Sequence, residues 1–342
     1  MSFQYIRKMP QIEEILQSIP LTPELRELKL RRDKEIIAVF KGESDKFIVI
    51  IGPCSADNED GLCDYVSRLA RIQEEVQEKL ILIPRIYTNK PRTTGEGYKG
   101  MAHQPKPSEA PDMVEGLKAI RSMHIRAMKE SHLTAADEML YPPNYPYLED
   151  ILSYVAVGAR SVENQLHRLT ISGLDVPAGM KNPTSGDIEV MMNSVQAAQL
   201  PHTFVYNAWE VKTTGNPLTH AILRGAVNPY GTNIPNYHYE DLYGVSEAYR
   251  KRGLKNPAII VDTNHANSNK EFQRQPRIAK EVMLSRRHSG TLRKMVKGLM
   301  IESYIEEGSQ KISDHIYGKS ITDPCLSWDA SERLLRDLVE LV

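Results

Sequence analysis

The chain has 342 residues, 41% of them hydrophobic, enough for two average domains or one large barrel with a substantial core. With 43 basic and 44 acidic residues the net charge is -1, so no overall field draws the protein to nucleic acid or an anionic membrane, and any bound anion must be held locally. No apolar run approaches a membrane span, the N-terminal MSFQYIRKMPQIEEIL lacks the apolar core of a signal peptide, and Cys54, Cys63 and Cys325 form no disulfide framework, all of which predicts a cytoplasmic protein.

Residues 1–45 open with two charged amphipathic stretches, PQIEEILQSI and PELRELKLRRDKEIIAVFKG, in which apolar residues recur three and four apart. They precede the first buried strand and read as a helical extension with a role in oligomerisation or regulation, because no partner inside the main fold is evident for them. From residue 46 to 342, short apolar runs alternate with longer amphipathic segments: FIVIIGPC, LILIPRIY, TAADEML, VAVGAR, PAGMKN, THAILRG, AIIVDTNH and GLMIESY. Eight strands, each followed by a connection, predict an α/β fold with a parallel sheet closed into a (β/α)8 TIM barrel. An open doubly wound sheet is the competing architecture, but no Gly-rich dinucleotide loop follows the first strand. Two segments break the alternation. Thr93 to Asp112 is a long loop rich in Gly and Pro after the second strand, and about 201–217 two short β-prone runs predict an inserted β-hairpin before strand 6.

The ends of the eight runs carry the chemistry. In order they are Cys54, Arg85, Glu138, Arg160, Lys181, Arg224, His265 and Glu302, all ionisable. One charged strand end means little, since such positions meet solvent, but in a barrel these eight converge on one mouth. Arg85, Arg160, Lys181 and Arg224 would repel one another in an empty pocket, so they imply an anionic ligand carrying phosphate and carboxylate groups. Cys54, His265 and Glu302 combine a soft donor with two harder ones and suit a divalent transition metal; Asp323, in the loop after the last strand, is the candidate fourth ligand.

At these positions the sequence resembles the type I 3-deoxy-D-arabino-heptulosonate 7-phosphate (DAHP) synthases. The motifs IGPCSA, KPRTTG, GARSVENQLHR, GMKNPTSG, ILRG, NHANSNK, ES and YGKSITDPC occur in the family's order from about Phe47 onward. The resemblance implies a transferase that condenses phosphoenolpyruvate with erythrose 4-phosphate and releases phosphate, the first step of the shikimate pathway of aromatic amino-acid biosynthesis. It implies one divalent metal ion (Mn, Fe, Co or Zn) on Cys54, His265, Glu302 and Asp323. Arg160, Lys181 and Arg224 would grip phosphoenolpyruvate, with Arg85 and Lys90 near its carboxylate. Arg92, Thr93 and Thr94, with Asp323, would hold the erythrose 4-phosphate end, and Lys90, Glu138 and His265 are the candidates for catalytic proton handling. Members with such an extension and hairpin are commonly inhibited by an aromatic amino acid, and a homodimer or homotetramer is expected.

The sequence also departs from the family. KPRTTGEGYKG stands where KPRTTVGWKG is common, Pro183 and Pro324 replace a glycine and an alanine, and Tyr206 and Asp175 occupy hairpin-related positions where small residues are usual. Two alternatives are weighed: 3-deoxy-manno-octulosonate 8-phosphate synthase, which carries KANRSS-like residues where this chain has KPRTT, and a non-catalytic anion-sensing barrel. Among minor signals, Cys63 reads as packing, His103, His202 and His238 as surface histidines, and SRRHSGTLRK (residues 285–294) as either an anion attractor or a solvated basic face.

Overall fold

A computed structural model describes residues 2–342. Eight parallel strands form the centre: β1 Phe47–Gly52, β2 Leu80–Pro84, β3 Ala136–Glu138, β4 Tyr154–Val157, β5 Ala178–Lys181, β6 Thr219–Leu223, β7 Ile259–Asp262 and β8 Val296–Glu302. Strand order runs β2-β1-β8-β7-β6-β5-β4-β3, and a parallel bridge between Arg85 and Ala136 joins the two end strands into a barrel.

That junction is the thinnest part of the wall, and side chains complete it. Residues 80 and 82 of β2 point their backbone groups away from β1. The Gln73 side chain donates to Leu80 O at 3.0 Å and accepts from Leu82 N at 2.6 Å, while Arg32 donates to Leu82 O at 2.9 Å. Pro84 has no amide proton to satisfy, and Ile86 N resumes pairing with Ala136 O.

Alternation along the strands divides the apolar residues into two sets. Ile48, Ile50, Ile81, Ile83, Ala136, Tyr154, Ala156, Ile222, Ile260 and Met300 fill the barrel interior. Phe47, Val49, Ile51, Leu80, Leu82, Val155, Val157, Val261 and Leu299 face outward under the helices. The helices start as the sequence suggests: Asn58, Asp112, Asn164 and Asp187 each cap a helix that follows a strand. Between β3 and β4 there is no α-helix but a 3-10 turn, Pro142–Tyr147, where three prolines remove the amide donors a longer helix requires. The inserted hairpin pairs Thr203–Tyr206 with Trp209–Lys212, and a second small hairpin, unforeseen from the sequence, pairs Ala226–Val227 with Asn233–Ile234.

The extension corrects one expectation. It contains α1, Ile12–Ser18, and α2, Pro23–Lys41, with Thr22 capping the latter. α2 does have a partner within the same chain, because Ile36, Val39 and Phe40 join the interior cluster and close the N-terminal end of the barrel. The Phe40 ring lies 4.4 Å from His220 and 6.2 Å from Tyr154. Helical periodicity alone could not say which surface the apolar face would meet.

Removing that ring opens a void that the rigid strands cannot collapse into. Phe40→Ala is therefore expected to cost about 3–5 kcal/mol of unfolding free energy, read from the shift of the urea midpoint, whereas Tyr230→Ala, at a 92% exposed position, leaves it unchanged.

Candidate active site

The ends of the strands and the loops just beyond them build the mouth. Only Glu138, Lys181 and Glu302 are terminal strand residues; Cys54, Arg85, Arg160, Arg224 and His265 follow the last residue of their strands by one to three positions. They therefore sit on the rim, where the backbone leaves the sheet. His265 adopts a left-handed conformation, φ 49°, which few non-glycine residues do.

Cys54, Glu302 and Asp323 bring their donor atoms within 4.8 Å of one another. Cys54 Sγ receives a hydrogen bond from Asp323 N at 3.4 Å and lies 2.5 Å from Lys90 Nζ, which is itself 3.4 Å from Asp323 Oδ2. Burial, helped by the Glu302 charge, pushes the Cys54 thiol up to about 11. Glu302 is held from two sides. Arg85 approaches its Oε1 at 3.0 Å and Asn264 donates to its Oε2 at 2.5 Å, yet Oε1 remains buried without a hydrogen-bond partner. One soft donor and two carboxylates, one of them with an orphaned buried oxygen, fit a divalent metal ion. His265 stands just outside this triad, with Nε2 3.9 Å from Glu302 Oε1 and Nδ1 2.8 Å from Asp262 Oδ2.

Asp262 is the residue the sequence reading missed. It is the true last residue of β7, 1% exposed, and also lies 3.4 Å from Lys181 Nζ. Burial works to raise its pKa and is the largest influence, but His265, Lys181 and Arg85 outweigh it and hold the carboxylate well below its usual range. The signal was present in AIIVDTNH, where an acid directly ends a fully apolar run. Asn264 and Gln275 were missed as well; Gln275 clamps the Glu302 backbone from both sides, accepting from its N–H and donating to its carbonyl at 2.9 Å each.

The cations fall into two groups. Arg85 is 1% exposed and packed over the Tyr87 ring at 3.8 Å; its guanidinium also donates to Pro53 O, and its Nε is buried without a partner. Lys181 lies between Asp262 and Glu138, 3.9 Å from the latter. Arg224 differs from both. It is 7% exposed and makes no ion pair among the described residues, and its Nη1 is buried with no partner at all. Burial lowers its pKa, with a smaller push from Arg160. An unpaired buried guanidinium is costly unless an anion completes it. Glu138 leans over Gly158, where an added Cβ would fall 2.3 Å from its Oε1 and the carboxylate would have to shift.

The loop after β2 crosses the mouth. Arg160 Nε donates to Thr93 Oγ1 at 2.9 Å, Arg92 Nε donates to Tyr98 O at 2.8 Å, and Thr94 is exposed. Arg92 thus curls back on its own loop while Thr93 is tied to the end of β4.

The model of the DAHP synthetase I family matches residues 20–336. The chain is 36% identical over 337 residues to the Phe-sensitive phospho-2-dehydro-3-deoxyheptonate aldolase of Escherichia coli, covering 96% of this chain and 93% of that protein. It is 35% identical over 336 residues to the Tyr-sensitive phospho-2-dehydro-3-deoxyheptonate aldolase of Salmonella typhimurium, covering 95% and 91%. The solved phospho-2-dehydro-3-deoxyheptonate aldolase of Francisella tularensis superposes with a TM-score of 0.91 at 29% identity, over 100% of this chain and 98% of that one. The match spans nearly all of the barrel and its rim, and the chain belongs to the DAHP synthetase I family.

Proposed function

We infer that the mouth of the barrel condenses phosphoenolpyruvate with erythrose 4-phosphate and releases inorganic phosphate, as a DAHP synthase at the head of the shikimate pathway. The family supports this reading, and the observation that carries it is the buried, unpartnered Nη1 of Arg224 beside a thiol and carboxylate cluster. Neither the octulosonate synthase nor the non-catalytic alternative is favoured, since the relatives share the DAHP synthase activity by name.

Each residue has a task within the reaction. Arg224, Lys181 and Arg160 seat the phosphate of phosphoenolpyruvate, and Arg85 and Lys90 receive its carboxylate. Arg92, Thr93 and Thr94 hold the phosphate end of the sugar, so two anions are fixed in reacting orientation against their own repulsion. The enol carbon attacks the aldehyde carbon, water adds at the second carbon, and C–O cleavage expels phosphate. A divalent metal held by Cys54, Glu302, Asp323 and His265 supplies Lewis-acid polarisation of the aldehyde when bound. Lys90 Nζ carries a proton next to Cys54 and Asp323, while Glu138 and His265 are the other groups placed to exchange one. Asp262 acts through His265: a carboxylate facing Nδ1 keeps the proton there and leaves Nε2 free to ligate. The reaction belongs in the cytoplasm, and no helix among the described residues is long and apolar enough to cross a membrane.

Control and assembly involve the turn of the hairpin and the N-terminal segment. Tyr206 OH donates to Pro142 O at 2.7 Å and Asn207 to Pro143 O at 3.3 Å, pinning the hairpin to the 3-10 turn. Phe3, Tyr5 and Ile6 are 83–89% exposed, as are Val205 and Trp209 at 72% and 74%, which is apolar surface suited to a second subunit in a homodimer or homotetramer. Sensitivity to an aromatic amino acid, which the names of the relatives record for them, belongs to the same region.

Phosphate release from phosphoenolpyruvate is expected only with a divalent metal and faster with erythrose 4-phosphate than with arabinose 5-phosphate; full activity after thorough chelation, or preference for the five-carbon acceptor, contradicts the assignment. Cys54→Ser should abolish tight metal binding. Asp262→Asn should weaken metal affinity by roughly 10–100-fold, measured by equilibrium dialysis, with the fold intact by circular dichroism. Deleting residues 2–11, which spares α2 and so the barrel base, should shift the sedimentation coefficient toward a smaller assembly and remove any aromatic amino-acid inhibition while phosphate release persists.

A further inference from the structure

The basic run SRRHSGTLRK has no part in the reaction, and the fold gives it a setting. At the N-terminal end of the barrel, opposite the mouth, lies a cavity of about 480 Å³ between the start of β1 and the start of β8. Lys46, Arg286, Arg293, Lys294 and Lys297 all line it, and Asp45 is the one carboxylate side chain among its lining residues. Four of these cations lie within residues 286–297, and the pairing of β1 with β8 brings Lys46 beside them.

Burial distinguishes this cavity from a solvated basic face. None of the five cations makes an ion pair among the described residues, and two of them are drawn out of solvent. Arg286 is 7% exposed, stacked at 4.4 Å over the Phe47 ring and anchored by a 2.9 Å hydrogen bond to Val296 O. Lys297 is half-buried, reaching toward Gly42, where an added Cβ would lie 3.9 Å from its Nζ. Burial first, and then a neighbouring cation, lowers the pKa of both, Arg286 to about 10. Like charges have therefore been brought together and partly desolvated, with Asp45 offsetting them only in part.

We propose that this cavity is a binding site for a small soluble molecule bearing two phosphoryl groups. Five cations against the Asp45 carboxylate and the α-carboxylate of Val342, which also lines the cavity, leave an excess of about three positive charges, and two phosphate esters, each carrying about -1.5 to -2 at neutral pH, match it. The volume falls within the roughly 300–1,000 Å³ typical of small-molecule sites. A recess of this size, on a chain of net charge -1, does not offer the extended positive surface that a nucleic-acid backbone or a bilayer needs. Arg286 is the fixed anchor, while Arg293 and Lys294, both exposed, are free to close on the ligand.

The test is calorimetric titration of the metal-loaded enzyme with fructose 1,6-bisphosphate, at saturating phosphoenolpyruvate so that the catalytic anion seat is already filled. One saturable site per chain is expected, with inorganic phosphate binding more weakly by about ten-fold or more, as loss of paired charge-assisted contacts requires. The double variant Lys294→Glu, Lys297→Glu should lose at least about ten-fold in affinity, with unaltered phosphate release in the synthase reaction. Lys297→Arg should retain binding. Lys297→Gln, measured without probe, should melt no lower than the parent, since it removes repulsion and not an ion pair. Unchanged affinity in the double variant would mean that the probe sits elsewhere, such as the vacant sugar-phosphate seat, and overturns the proposal. So does the absence of saturable binding to the parent enzyme up to roughly 10 mM. If inorganic phosphate binds as tightly as the bisphosphate, the two-phosphate reading fails.

Discussion

The Arg85–Glu302 pair is the contact on which the architecture of the mouth depends. Both side chains are almost wholly excluded from solvent, at 1% and 2% exposure, and they meet at 3.0 Å. A carboxylate in such surroundings is several kcal/mol unfavourable unless it is compensated. The chain compensates it in layers: Arg85 and Asn264 on the carboxylate, Gln275 on the backbone of the same residue, and the Tyr87 ring behind the guanidinium. Because Arg85 follows β2 and Glu302 ends β8, the pair also spans β1 and fixes the relative height of three strands. Cys54, at the end of the strand between them, inherits its position from that clamp.

Around this centre the charges are arranged so that few can relax independently. Asp262 holds Lys181 and His265 from one position, and Lys90 answers both Cys54 and Asp323. Removing Asp262 leaves the buried Lys181 without its nearest carboxylate, at 3.4 Å. Arg224 is the exception, with an Nη1 that nothing in the protein satisfies. An unfilled electrostatic demand of this kind is paid in stability, and it makes sense where a ligand supplies the missing charge during turnover.

The opposite end of the barrel follows a different logic. There α2 closes the interior with Ile36, Val39 and Phe40, and Gln73 and Arg32 satisfy the edge of β2 that β3 does not reach. The extension is thus structural over α2, while residues 2–11 remain largely exposed at the surface. This division separates the part of the segment that supports the barrel from the part that lies open to solvent.

The sequence alone determined the eight strands, their order and the ionisable character of the mouth, because buried parallel strands must be continuously apolar and their ends must leave the sheet at one face. FIVIIG and AIIVD can be read in no other way once they alternate with amphipathic helices. The KPRTT and YGKSITDPC motifs likewise identified the family without any coordinates. What the sequence did not contain was distance. That Asp262 rather than His265 ends β7, that His265 stands off the Cys54, Glu302 and Asp323 triad, and that Arg160 reaches Thr93 depend on how far each loop travels after its strand. The fate of α2 and the approach of Lys46 to the basic stretch 286–297 are decided in the same manner. Periodicity tells which face of an element is apolar or charged; only barrel closure, which brings residues more than 200 positions apart into contact, decides what that face meets.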